Sequence, residues 1–116
     1  LTVRGDREAL KHLFFNLLHN ALEVSPPGGA VSCRATAGPE DVALQIEDRG
    51  PGLAASPEEC FRPFFTTKKS GTGLGLAVCQ KIARAHGGLV ELRNREGGGC
   101  TATVVLPRRV APEAGA

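Results

Sequence analysis

The chain has 116 residues, of which 41% are hydrophobic and 22% are charged, a balance typical of one globular domain with a single modest core. No apolar run is long enough to cross a membrane, and the first ten residues, LTVRGDREAL, lack the pattern of a signal peptide. The formal net charge of +2 and the absence of Tyr and Trp argue against a nucleic-acid-binding protein. We expect the chain to begin inside a larger protein.

The cysteines lie far apart and show no CxxC spacing, so neither a zinc site nor a disulfide framework is predicted. Reduced thiols in a cytosolic domain are the expected state. The cysteines are Cys33, Cys60, Cys79 and Cys100.

The first long helix is predicted after a short strand over Leu1–Val3. Asp6 is its expected N-cap and Glu8 lies in its first turn. The helix should end near Ser25, because the two prolines and two glycines of 26–29 cannot continue it. Its apolar face follows the i, i+3, i+4, i+7 spacing. The residues of that face are Leu10, Leu13, Phe14, Leu17, Leu18, Ala21 and Leu22.

Two half-buried strands are predicted next, over Ala30–Ala37 and Val42–Glu47, joined by a hairpin at Gly38–Asp41. A loop-rich stretch follows over 48–65, with one helical turn around Ser56–Cys60. The buried face of the first strand should carry Val31, Cys33 and Ala35, and that of the second Val42, Leu44 and Ile46.

Helical periodicity returns from Leu74 to Ala85, and two glycines at 87 and 88 should end that helix. A closing antiparallel hairpin is predicted over Leu89–Asn94 and Cys100–Leu106. We expect one domain over 1–107 and a disordered tail over 108–116. Elements in this order predict a two-layer α/β (α+β) sandwich, a mixed and mostly antiparallel sheet covered on one face by helices.

The stretch TTKKSGTGLGL, at 66–76, has the composition of a phosphate-binding loop. Glycines at 71, 73 and 75 let backbone N–H groups approach an anion, and the helix that begins there adds its positive end. Lys68 and Lys69 add point charges. The alternative is a solvated glycine loop that only connects two elements.

The first helix carries Asn16 and Asn20 at i and i+4, so both amides lie on one face at the edge of the apolar stripe. Because Asn is a poor helix former, this pair favours a functional role over a merely solvated flank. A metal site from His19 and Glu23 is a third alternative, although no further ligand with suitable spacing is visible.

Asp48 keeps the parity of the second strand's apolar residues, so its carboxylate should point to the buried face and needs hydrogen-bond donors. Gly50 and Gly52 remove side chains beside it. This arrangement suits a flat ligand with an exocyclic amine, such as adenine. The alternative is an Asp-Gly turn in which Asp48 bonds its own backbone.

Together these stretches resemble the catalytic ATP-binding domain of bacterial sensor histidine kinases, in the superfamily of the gyrase, mismatch-repair and heat-shock chaperone ATPases. HLFFNLLHNALE at 12–23 looks like the N box and DRGPG at 48–52 like the G1 box. FRPFFTTKK at 61–69 looks like the F box and GTGLGL at 71–76 like the G2 box. The resemblance covers nearly the whole chain and implies a Bergerat fold that binds ATP and Mg²⁺.

The resemblance also implies roles for individual residues. Asn20 would coordinate Mg²⁺, Asn16 would support the phosphates or that metal, and both would serve catalysis. Asp48 would accept a hydrogen bond from the adenine amine. The full implied nucleotide site is Asn16, Asn20, Asp48, Gly50, Gly52, Lys68, Lys69, Gly71, Thr72, Gly73, Leu74, Gly75 and Thr101.

Three positions depart from the family's pattern. Glu23 stands where many members have a lysine that contacts phosphate. Cys100 stands where a threonine usually follows the last glycines, with Thr101 next, and Arg62 replaces a common acidic residue.

The function implied is transfer of the γ-phosphoryl group of ATP to a histidine outside this chain. None of His12, His19 and His86 lies in the acidic, proline-followed context of the family's phosphoacceptor. The implied partners are the phosphoacceptor helical hairpin of the same parent protein and a downstream response regulator. The isolated domain should be monomeric, the parent homodimeric, and this domain cytoplasmic whether or not the parent is membrane-anchored.

Two alternatives belong to other classes: an ATP-hydrolysing conformational switch and a serine-kinase regulator of a sigma factor. Position 16 discriminates against the first, because hydrolysing relatives place a glutamate there and the amide of Asn16 is not a base.

Overall fold

The computed structural model describes residues 5–53, 55–62 and 75–108. The predicted strand Leu1–Val3 and the chain from 109 onward lie outside these ranges. Within them, the helices are α1 (Arg7–Val24), α2 (Pro57–Cys60) and α3 (Gly75–Ala85), and the strands are β1 (Ser32–Ala37), β2 (Asp41–Glu47), β3 (Leu89–Asn94) and β4 (Cys100–Pro107).

The strands form a four-stranded sheet in the order β1-β2-β4-β3. Helices α1 and α3 pack against each other and contribute to the same core as the sheet. The two-layer arrangement is therefore confirmed. Every pairing between the four described strands is antiparallel, in keeping with a mostly antiparallel sheet: two hairpins lie side by side and join through β2 and β4.

Helix α1 begins and ends as its sequence predicts. The Oδ1 atom of Asp6 accepts hydrogen bonds from the N–H groups of Glu8 at 3.0 Å and Ala9 at 3.2 Å, and Ser25 is the C-cap. The predicted apolar face is wrong at one residue, Leu22. Leu22 is 60% exposed, because it lies on the side of the helix turned away from α3 and the sheet.

Strand β1 is exposed on both faces from Cys33 to Ala37, which corrects the prediction that Cys33 and Ala35 are buried. The alternation is present, but among the described strands β1 lies at the edge of the sheet, and the described helices pack on other strands. In β2, by contrast, Val42 and Ile46 are buried as predicted.

The core joins side chains from α1, α3 and three strands. Helix α3 ends where predicted, with the N–H of Gly88 donating to the carbonyl of Ala83 at 2.8 Å. None of the helices in the described part of the chain combines the length and apolar character that a membrane span requires. The buried cluster is Leu13, Leu17, Ala21, Ile46, Cys79, Ala83, Val90, Val104 and Leu106.

The chain stays attached to the fold at Arg108, one residue past the predicted domain. Its N–H donates to the carbonyl of Glu40 at 3.0 Å, and its Nη1 donates to the carbonyl of Gly38 at 3.1 Å. The disordered tail beyond it remains a prediction.

Gly99 is required by both its backbone and its surroundings. Its φ is +92°, and an added Cβ would collide with the carbonyl oxygen of Asp48. Gly97 provides a matched control, because its φ is +88° and nothing lies within 4 Å of its Cβ position. We expect Gly99→Ala to lower the free energy of unfolding by about 1–3 kcal/mol more than Gly97→Ala does, the usual cost of overpacking. Urea denaturation measures both, and equal losses would contradict the collision.

Candidate functional site

Asp48 follows β2 directly and is the buried polar residue among those described, with 8% of its surface exposed. Its Oδ1 accepts hydrogen bonds from the N–H of Gly50 at 2.9 Å and the N–H of Cys100 at 3.0 Å. Its own N–H donates to the carbonyl of Cys100 at 2.9 Å. The turn predicted as the alternative for Asp48 is thus present. Both side-chain bonds use one carboxylate oxygen, so the turn and a ligand role for the other oxygen are compatible.

The glycines after Asp48 are explained by packing within the chain. A Cβ on Gly50 would lie 2.7 Å from the carbonyl oxygen of Val24, the last residue of α1. Gly52 has a φ of +90°, and its Cβ would lie 2.7 Å from Oδ1 of Asn94. The end of α1 therefore packs directly on the loop that follows β2. Approach of a base at these glycines stays a prediction.

Asn16 faces the beginning of α3. Its side chain hydrogen-bonds the thiol of Cys79, and its Oδ1 lies 4.0 Å from the Cβ position of Gly75. Burial raises the pKa of the Cys79 thiol to about 12, against a smaller lowering by the bond with Asn16. The thiol therefore stays protonated, and it donates to the carbonyl of Leu13 at 3.6 Å. Asn20, half-buried, lies one turn further along α1, toward the end that packs on the loop after β2.

Cys100 lies beside the Asp48 carboxylate. Burial, and then the negative charge of Asp48, raise the pKa of the Cys100 thiol to about 11. This thiol is therefore neutral at physiological pH. All four cysteines are free, as their spacing predicts.

Thr101 is not brought to Asp48, which corrects its inclusion in the site. It pairs with Glu47 across β2 and β4, and side chains alternate along a strand. Since Val104 and Leu106 face the core, Thr101 faces the opposite side of the sheet. Cys100, with the parity of Val104 and Leu106, is the residue on the Asp48 side.

Only the last residues of the predicted phosphate loop lie within the described ranges. Gly75 is the first residue of α3, so the glycine run leads into a helix N-terminus as its sequence predicts. The remaining residues of that loop lie outside the described ranges: Lys68, Lys69, Gly71, Thr72, Gly73 and Leu74.

The alternative metal site at His19 and Glu23 gains no support. Nε2 of His19 lies 2.9 Å from Oε1 of Glu23, as a pair of neighbours on an exposed helix face. No group of three His, Cys, Asp or Glu side chains that could hold a metal occurs within the described ranges.

A separate cavity of about 530 Å³ lies between α2, α3 and β3. Its rim carries Arg62, Arg84 and Arg93 together with Glu58 and Glu91, so it favours neither sign of ligand charge. It contains neither asparagine of α1 nor Asp48, and we assign it no role.

Two polar contacts of the loop after β2 were not predicted. Oγ of Ser25 accepts from the N–H of Arg49 at 3.3 Å, and Oδ1 of Asn94 accepts from the N–H of Leu53 at 2.7 Å. Both join residues far apart in sequence, so no local pattern marks them.

Comparison with known proteins matches residues 5–110 to the family described as histidine kinase-, DNA gyrase B-, and HSP90-like ATPases. The chain belongs to this ATPase family. The resemblance noted in the sequence is therefore confirmed over nearly its full extent.

The relatives of this ATPase domain include sensor kinases. Sensor histidine kinase ZraS of Escherichia coli K12 is 38% identical over 106 residues, which are 90% of this chain and 23% of that protein. The chain spans between 14% and 25% of the length of the curated relatives it matches.

Solved structures give the same fold. The nucleotide-free catalytic domain of histidine kinase ThkA superposes with a TM-score of 0.84 and 35% identity over 92% of this chain and 71% of that chain. Full-length ShkA in complex with AMPPNP gives a TM-score of 0.76 and 28% identity over 89% of this chain and 22% of that chain. The Bergerat fold implied by the resemblance is thereby confirmed.

Proposed function

We propose that this chain is the ATP-binding catalytic domain of a sensor histidine kinase, and that it transfers the γ-phosphoryl group of Mg-ATP to a histidine on a dimerisation domain outside this chain. The support is the family membership, the kinase relatives and the ThkA catalytic domain. ShkA, with the same fold, binds an ATP analogue. A response regulator downstream, a homodimeric parent and a cytoplasmic position of this domain belong to the same proposal.

The observation that carries the proposal is the buried carboxylate of Asp48. Burying a carboxylate is costly unless donors surround it, and two backbone N–H groups already bond Oδ1. Oδ2 then accepts a hydrogen bond from the exocyclic amine of adenine. Guanine presents a carbonyl at that position, so the same carboxylate disfavours GTP.

The phosphate side of the site is built by α1 and the beginning of α3. Asn16 lies beside Gly75, where the N–H groups of α3 give the helix its positive end. Asn20 offers an amide oxygen, the ligand type that Mg²⁺ prefers, and Lys68 and Lys69 supply further positive charge. When bound, Mg²⁺ neutralises charge on the phosphates.

Phosphoryl transfer needs mainly positioning and charge stabilisation, and these residues provide both. His86 is unsuited as the phosphoacceptor because both ring nitrogens are occupied. Its Nε2 accepts from the N–H of Asp6 at 2.9 Å, and its Nδ1 lies 2.9 Å from the carbonyl of Ile82. Since His12 and His19 also lack the acidic, proline-followed context of the family's phosphoacceptor, the acceptor histidine of this proposal belongs to another domain.

The alternative of an ATP-hydrolysing switch is supported only by the family description, which includes DNA gyrase B- and HSP90-like ATPases. It requires a group that takes a proton from water. Asn16 cannot do this, because its amide is not a base at neutral pH.

Calorimetry of the chain with Mg-ATP and Mg-GTP tests the nucleotide site. We expect saturable one-to-one binding of ATP and GTP binding weaker by about tenfold or more, because one bond to a charged group is replaced by a repulsive contact. Equal affinities would remove the role of Asp48, and no ATP binding would contradict the proposed function.

A further inference from the structure

The loop that follows β2, residues 48–53, is held at both ends by the hairpin of β3 and β4. At its start, the backbone of Cys100 bonds Asp48 twice: the carbonyl of Cys100 accepts from the Asp48 N–H, and the N–H of Cys100 donates to the side-chain Oδ1 of Asp48. At its end, Oδ1 of Asn94 accepts from the N–H of Leu53. Asn94 and Cys100 are partners in the register of β3 and β4. One cross-strand pair thus fixes both ends of this loop.

The contact made by Asn94 is close and specific. The distance from the Leu53 nitrogen to Oδ1 is 2.7 Å, at the short end for such bonds. The same Oδ1 lies 2.7 Å from the Cβ position of Gly52, so the amide occupies space that any larger residue at 52 would need. Gly52 and Asn94 therefore fit each other.

The Asn94 side chain is exposed and belongs to no part of the buried core. Its bond to Leu53 is not part of the β3–β4 ladder. Removing it should therefore change the order of the loop far more than the stability of the whole fold.

We propose that Asn94 is a positioning residue for the nucleotide site. It holds the far end of the 48–53 loop, so that the path of the chain leaving Asp48 is fixed before ligand binds. This inference rests on the proposed function, in which adenine binds at Asp48. Asn94 acts through the loop and does not touch the nucleotide.

The physical effect is preorganisation. A six-residue loop attached at one end only must be ordered when ligand binds, and that ordering reduces affinity. The loss of one neutral hydrogen bond corresponds to about a three- to tenfold weaker affinity for Mg-ATP.

The test compares Asn94→Ala, Asn94→Asp and, as a matched control on the same edge strand, Glu91→Ala. Three quantities are measured for each at 150 mM salt: the Mg-ATP dissociation constant by calorimetry, the thermal midpoint, and exchange of the Leu53 amide without nucleotide. Asn94→Ala should bind Mg-ATP about three- to tenfold more weakly and expose the Leu53 amide, with a thermal midpoint close to that of Glu91→Ala. Asn94→Asp keeps an acceptor oxygen and should restore both affinity and protection.

Contrary outcomes are distinct. Unchanged ATP affinity in Asn94→Ala, with the Leu53 amide exposed, would overturn the positioning role. An affinity loss that only follows a large fall in thermal midpoint, and that Asn94→Asp does not restore, would show a merely structural role and also overturn it. If the unaltered chain binds no Mg-ATP, the proposed function fails, whereas Leu53 exchange still reports whether Asn94 fixes the loop.

Discussion

Label from γ-labelled ATP is expected to appear on an added helical hairpin from the parent protein, on histidine, and not on this chain. Two contributions to the rate of phosphoryl transfer or hydrolysis are missing when the chain is alone. Asn16 cannot activate water, and loss of such a base commonly removes about 10² to 10⁴ in rate. No phosphoacceptor is held in line with the γ-phosphate, so the proximity term is absent as well. The isolated chain should therefore bind Mg-ATP and turn it over very slowly.

In the same assay Asn20→Ala should reduce labelling of the hairpin by about 10²-fold or more, because a misplacement of the reacting groups by about 1 Å can cost that much in rate. His19→Ala is the matched control. His19 is exposed on the same helix, and its bond to Glu23 is a surface contact. Labelling should survive that change, whereas the alternative metal site at His19 predicts its loss.

Other outcomes of the labelling experiment favour other functions. Steady phosphate release by the chain alone, at the rate of a dedicated ATPase, would favour the hydrolysing switch. Acid-stable label on an added serine-containing partner would favour the sigma-factor regulator.

The helices were predictable because their signals are local. The cap at Asp6 and the apolar spacing after it fix α1, and the end of α3 follows from its two glycines. The burial of β1 was not predictable in the same way. Alternation shows which side chains share a face, but it does not show whether another layer covers that face, and Cys33 lies at an uncovered edge.

The residues of the candidate site also differ in whether a local sequence pattern predicts their position. Strand parity predicted that Asp48 is buried. Helix spacing predicted that Asn16 lies at the edge of the apolar stripe, where its side chain faces the beginning of α3. The same parity, applied to β4, would have shown that Thr101 lies on the face of the sheet opposite to the core and Asp48. The contact between Asn94 and Leu53 joins residues 41 positions apart, so only the tertiary structure shows it.

Asp48→Asn should weaken binding of Mg-ATP by about ten- to 150-fold while the fold survives. The loss corresponds to one hydrogen bond to a charged group, about 1.5–3 kcal/mol. The fold should tolerate the change because the amide oxygen of asparagine can still accept from the N–H groups of Gly50 and Cys100, which bond Oδ1 now. The new NH₂ group then faces the adenine amine, donor against donor. Preference for ATP over GTP should fall together with affinity.

Asp41→Asn is the matched control, since it removes the same charge from an exposed residue at the beginning of β2. Calorimetry with ATP and GTP, together with the thermal midpoint, should show unchanged nucleotide binding for Asp41→Asn. If Asp48→Asn binds ATP as tightly as the unaltered chain, Asp48 serves only the turn with Gly50 and the backbone of Cys100. If it loses affinity for ATP and GTP equally with a lower thermal midpoint, its role is to hold the loop, and the selectivity for adenine comes from another group.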